Sequence, residues 1–233
     1  MLKLIENNEN AVVVLHEIYG INEHIKDVCA EYHDRGFDVY CPHLFEHGLP
    51  FKYEQQDQAY KKFVNTCGFD TTKINLLLGE IRGGYKKIIM IGFSVGATIA
   101  WLSAESNLCD GIVCYYGSRI RDYTDIMPQC PVLVIMAQFE KSFDSYVLQK
   151  KLAERTTVTS HVLNSHHGFS DPYSETYSCR NTEIARDLVY DFIGAIVGKP
   201  SEVFSLTSSP SFRAGRMSTQ KGIQGLCQAL VRR

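Results

Sequence analysis

The sequence predicts an α/β protein built on one mostly parallel, doubly wound sheet flanked by helices, and three observations carry that prediction. Apolar runs at residues 11–15, 88–91, 111–116, 131–136 and 158–163 alternate with segments of helical periodicity, the order that builds β-α-β units with right-handed crossovers. The strongest of these runs are apolar at consecutive positions, as strands covered on both faces are. One of them, residues 88–91, leads through Gly92-Phe93-Ser94-Val95-Gly96 directly into small, helix-compatible residues, which is a strand, a tight turn and a helix.

Taken in order, residues 2–5 predict a short edge strand, and residues 11–15 a buried one. A helix follows over 23–35, ending at Gly36 in the left-handed position that terminates helices. Residues 37–41 form the next strand, closed by Pro42, and 42–54 read as loop. Helices are expected over 55–64 and over 70–82, the second capped by Asp70, with Ile74, Leu77, Leu78 and Ile81 on one face and Gly83-Gly84 as its stop. After the Ser94 turn come strands at 111–116 and 131–136, a helix at 148–154, a strand at 158–163, and a final helix over 181–197. Asn181 is the expected cap of that helix, with Ile184, Leu188, Phe192 and Ile196 as its apolar stripe, and Gly198 and Pro200 end it.

Composition limits the alternatives. The 233 residues are 45% hydrophobic and 21% charged, ordinary globular usage, and enough chain for one sizeable core. The domains expected are 1–198, the α/β body, and 199–233, a basic tail. The tail carries six Lys and Arg against Glu202 alone, or +5, which leaves −7 on the body. Disorder is expected to about residue 219, then a short amphipathic helix using Ile223, Leu226, Cys227 and Leu230. The acidic body offers no nucleic-acid surface. The N-terminus lacks the apolar run of a signal peptide, and no stretch approaches the roughly 20 apolar residues of a membrane span. A soluble, cytoplasmic protein is therefore expected, with a monomer favoured over an oligomer. Eight cysteines without C-x-x-C spacing predict small buried hydrophobes and no disulfide framework.

In a sheet of this kind ligands bind beyond the carboxyl ends of the strands, so residues that do chemistry should follow strands. Ser94 does. Glycines on both sides let the backbone bend sharply and lift its hydroxyl, and the helix N-terminus behind it favours a developing negative charge. A serine attacks only when a base takes its proton and a third group orients that base. Downstream, His161 falls within a strand, whereas His166 and His167 lie in the loop beyond it. His167, followed by Gly168-Phe169, is preferred, with His166 its alternative. After strand 131–136, Glu140 is the preferred acid and Asp144 the alternative, the latter placed to cap the next helix. The amide of Val95 and one near Ile18, in the loop after residues 11–15, are positioned to hold an oxyanion. Tyr116, in the cluster Tyr115-Tyr116-Gly117-Ser118, is expected to line the pocket floor.

HEIYGIN, CPHLF, DQAY, GFSVG and HGF stand in the order found in the dienelactone hydrolase family, which the chain resembles from about Val12 to Ile196. The resemblance implies a single-domain α/β hydrolase that cleaves lactones and small carboxylic esters, with no cofactor and no metal. It implies that Glu17 matches a glutamate contacting the resting nucleophile, and that Tyr60 matches a substrate-binding tyrosine. The chain departs from the pattern in four places. Ser94 stands where cysteine is usual, and Glu140 where aspartate is. Gln56 and Asp171 occupy two arginine positions that grip a substrate carboxylate. A serine hydrolase acting on a small ester, lactone or thioester is therefore expected, rather than one specialised for an anionic lactone. The same departures motivate a second reading, a catalytically silent ligand-binding protein. His43 and His47 flank Glu46 four apart, but no third ligand is evident and a solvated loop is expected.

Overall fold

The computed structural model describes residues 1–45 and 48–198. The expectations for residues 199–233, and the Glu46 and His47 part of the histidine pattern, lie outside them. Seven strands are present: β1 (Leu2–Leu4), β2 (Asn10–Leu15), β3 (Asp38–Cys41), β4 (Lys87–Phe93), β5 (Gly111–Tyr115), β6 (Val132–Phe139) and β7 (Val158–His166). They form one sheet in the order β1-β3-β2-β4-β5-β6-β7, parallel throughout except for β1, which runs antiparallel to β3 at the edge.

The helices cover both faces. α1 (Glu23–Asp34) and α6 (Cys179–Val197) pack on one side, and α2 (Gln56–Thr66), α3 (Thr72–Arg82), α4 (Val95–Leu102) and α5 (Ser145–Leu152) on the other. The continuous apolar runs divide between the two cores by strict alternation. In β2, Ala11, Val13 and Leu15 face one core while Val12 and Val14 face the other; in β4, Ile88 and Met90 oppose Ile89, Ile91 and Phe93. Fully burying such a side chain is worth roughly 1.5–3 kcal/mol before chain entropy, and a slip of one residue would send every one of them to the wrong layer.

β2 leads outward to β3 and β1, whereas β4 begins the walk in the opposite direction, so the strand order reverses between them. Their register pairs Leu15 with Gly92. The loop after β2 and the turn after β4 are therefore neighbours at the carboxyl edge, at the switch point where open α/β sheets bind ligands. Among the described residues no helix is long and apolar enough to cross a membrane.

Several boundaries differ from those read in the sequence. The α3 cap is Thr71, while Asp70 bonds the Thr72 amide and hydroxyl at 2.9 and 2.7 Å. β6 runs three residues beyond Met136, and β7 runs three beyond Leu163, taking in His166. Those added residues of β7 are polar, which an outermost strand with water along one edge tolerates. α6 starts at Cys179 rather than at Asn181, because the Ser178 hydroxyl accepts from the Asn181 amide. Its buried line runs through Ala185, Val189 and Ile193, with Ile184 39% exposed at the margin. Tyr53–Gln55 forms a 3-10 turn across the boundary read between loop and helix, and α2 starts at Gln56.

Candidate active site

β4 delivers Ser94 to the sheet edge in an unusual backbone conformation, φ 53° and ψ −112°, a region costly for any side-chain-bearing residue. The conformation is held from both sides. The Ser94 amide donates to the Tyr115 carbonyl at 2.9 Å, and its own carbonyl accepts from the Thr98 amide at 3.2 Å. The flanking glycines serve a different purpose from the one expected, since the positive φ sits on Ser94 itself. A β-carbon on Gly92 would lie 2.4 Å from the Gly96 carbonyl oxygen, and one on Gly96 would lie 2.3 Å from that of Leu15. Both positions require glycine for close approach of α4 to β4 and β2.

His167 follows β7 directly, and Gly168 beyond it turns the chain at φ 82°. The Thr176 hydroxyl holds the His167 carbonyl at 2.7 Å. Nε2 of His167 stands 2.9 Å from Ser94 Oγ, and Nδ1 stands 2.9 Å from Glu140 Oε1. The Glu140 side chain is only 6% exposed, against 38% for that of His167. A carboxylate only accepts, so Nδ1 carries the proton and Nε2 presents its lone pair to the serine hydroxyl. Burial pushes the imidazole pKa down, but the hydrogen bond and charge of Glu140, with the charge of Glu17, outweigh it and lift the ring above the ordinary histidine value. Asp144 does not enter this group; it caps α5, accepting from the Tyr146 and Val147 amides. His166 packs against Phe139, ring centroids 5.0 Å apart, and His161 pairs with Ile135 across the sheet.

A polar cluster lies behind the serine and histidine. Glu17 is 5% exposed and Tyr116 is 1% exposed; the tyrosine hydroxyl donates to Glu17 Oε1 at 3.0 Å and bonds Ser170 Oγ at 2.9 Å. Tyr116 thus sits behind the site rather than as open floor, at φ 39°, with its ring 5.0 Å from that of His167. Burial raises the Glu17 pKa, and Asp171 adds to the rise while His24 and His167 oppose it. Asp171, 1% exposed, accepts the Tyr53 hydroxyl at 2.5 Å and the Tyr173 amide at 2.9 Å. Tyr60 and Gln56 stand exposed on α2, outside these hydrogen bonds.

Ile18 lies in the loop after β2, and Val95 begins α4. Among the described residues neither amide donates to a protein acceptor. Tyr53, His16 and Ser170 of this region were not singled out in the sequence. Tyr53 had no signal, being one aromatic among several in an irregular segment. His16 had one, a polar side chain at the end of a buried strand immediately before Glu17; its ring is fully buried. No group of three or more His, Cys, Asp or Glu among the described residues has the placement to hold a metal ion.

The model of the dienelactone hydrolase family matches residues 3–197. The chain is 39% identical over 167 residues to the uncharacterised YczH protein of Bacillus subtilis, covering 70% of this chain and 82% of that one. To the carboxymethylenebutenolidase of Pseudomonas putida it is 21% identical over 210 residues, 81% of this chain and 86% of that one. Among solved structures, a candidate dienelactone hydrolase from Klebsiella pneumoniae superposes with a TM-score of 0.68 at 21% identity, covering 83% of this chain and 88% of the other.

Proposed function

The chain belongs to the dienelactone hydrolase family, and from that premise we propose that it is a serine hydrolase cleaving a small carboxylic ester, lactone or thioester through Ser94, His167 and Glu140. The observation that carries the reading is the continuous line from Glu140 Oε1 through the imidazole to Ser94 Oγ, with both separations at 2.9 Å. In the proposed reaction Nε2 of His167 takes the hydroxyl proton as Ser94 Oγ attacks the carbonyl carbon. Glu140 keeps Nδ1–H oriented and steadies the imidazolium, and the Ile18 and Val95 amides receive the oxyanion. The imidazolium then protonates the departing alkoxide or thiolate. Water, deprotonated by the same ring, releases the acyl group from Ser94.

The substrate reading follows from charge. Glu17 and Asp171 lie buried beside the site, and the basic side chains that act on Glu17 are His24 and His167. A substrate carboxylate there would add a further negative charge beside two buried acids in a poorly screened environment, so the preferred substrate is uncharged near the scissile bond.

Purified protein assayed with a neutral short-chain ester, a thioester and an anionic lactone tests both parts. Hydrolysis of the neutral ester, lowered roughly 10^3-fold or more by Ser94→Ala, is the expected result. Full activity in Ser94→Ala overturns the mechanism, and equal turnover of the anionic lactone and the neutral ester overturns the substrate assignment.

A further inference from the structure

His16 is a fully buried imidazole near the site that the proposed mechanism does not use. It closes β2 and stands edge-on to Phe45, with centroids 5.2 Å apart. Its Nε2 lies 3.0 Å from the Leu44 amide nitrogen, and its Nδ1 lies 2.6 Å from the Glu17 carbonyl oxygen. These two contacts fix the tautomer. A backbone N–H can only donate, so Nε2 accepts and is unprotonated; the ring proton is on Nδ1, where it donates to the Glu17 oxygen.

The Glu17 carbonyl and the Ile18 N–H belong to one planar peptide unit and point in opposite directions across it. Whatever holds the carbonyl therefore aims the amide. The Gly20 amide also reaches this oxygen, at 3.2 Å, from within the same loop. The contact from His16 is shorter, and it comes from the end of a core strand whose backbone abuts α4. A β-carbon on Gly96 would lie 2.7 Å from the His16 carbonyl oxygen. One residue thus fixes the peptide carrying the Ile18 donor relative to the helix turn carrying the Val95 donor.

We propose that His16 is a positioning residue for the oxyanion hole, whose Nδ1–H locks the Glu17–Ile18 peptide so that the Ile18 amide faces the substrate carbonyl oxygen at Ser94. This rests on the serine-hydrolase reading above. Burial holds the imidazole pKa down at about 4, so the ring stays neutral and the lock stays closed over the range in which His167 works as a base.

Two substitutions separate the two halves of the ring. An Asn side chain places its amide N–H near the position of Nδ1 and can still donate to Glu17, whereas a Gln side chain reaches the position of Nε2 and can still accept from Leu44. The expected result is that His16→Asn keeps kcat within about 3-fold of the parent, while His16→Gln loses about 10- to 100-fold in kcat with KM little changed, because the donor acts on the transition state. Equal losses in the two variants, a loss confined to KM, or parent-like kcat in His16→Gln overturns the proposal. Ser94→Ala, assayed alongside, tests the reading beneath it: parent-like activity there refutes the serine mechanism, whereas an inactive Ser94→Ala beside a fully active His16→Gln refutes the positioning role alone. Nitrogen NMR of the unmodified protein gives a check that needs no variant to fold. A His16 ring protonated on Nδ1 is expected, and one protonated on Nε2 contradicts the lock.

Discussion

The β-carbon that Gly96 lacks would stand 2.3 Å from the carbonyl oxygen of Leu15. α4 can bring the Val95 amide beside the loop carrying Ile18 only because nothing projects between helix and strand. Gly96→Ala is therefore expected to push the first turn of α4 away from β2. Overpacking of this kind costs about 1–3 kcal/mol. A lower urea midpoint should accompany a loss of esterase activity in the protein that remains folded; an unchanged midpoint with full activity would contradict the close approach.

The pH dependence of kcat/KM should follow His167, since only the neutral ring can take the serine proton. Its pKa is raised by Glu140, so activity should climb with pH through a midpoint above the ordinary histidine value of 6.5. Glu140→Gln removes the charge that raises it and leaves the burial that lowers it. The midpoint should move to lower pH, and the plateau should fall roughly 10^2- to 10^4-fold as the ring loses its orienting partner. A pH–rate profile of the two proteins checks both the sign and the size.

Tyr116→Phe withdraws the hydroxyl that serves both Glu17 and Ser170. Leaving buried polar groups without a partner costs about 1–3 kcal/mol, so a lower urea midpoint is expected with the fold retained.

Glu17 makes a separate prediction about stability. Its folded-state pKa is raised, so the native protein holds this proton more tightly than the unfolded chain does. That contribution is complete below the unfolded pKa and is lost as pH rises through the folded one. Glu17→Gln cannot ionise. The fall in denaturation midpoint between about pH 5 and about pH 8 should therefore be smaller in Glu17→Gln than in the parent. An identical fall in both would contradict the raised pKa.

The sheet was legible in the sequence because buried parallel strands write themselves as uninterrupted apolar runs. The loops that matter were legible because they follow those runs. Less accessible was what depends on polar residues inside regular structure: Asn164, Ser165 and His166 belong to β7, although nothing apolar marks them. The α6 stripe was read from its bulky residues, of which Leu188, Phe192 and Ile196 do pack on the core while Ile184 does not; the fully buried line beside them includes Ala185 and Gly194, whose small size carries little weight in such a reading. The role of Tyr116 as a buried partner of Glu17 depends on a contact 99 residues apart in the chain, and the Tyr53–Asp171 bond spans 118. Spacing along the sequence contains neither. His16 was visible as a residue, but its two hydrogen bonds are to backbone atoms, which leave no side-chain signature.

A serine nucleophile activated by His167 is open to covalent labelling with a fluorophosphonate. A single adduct is expected on the peptide containing Ser94, absent in Ser94→Ala and formed roughly 10^3-fold more slowly in His167→Ala. A folded parent protein that forms no adduct, or that labels at the same rate without His167, would contradict it.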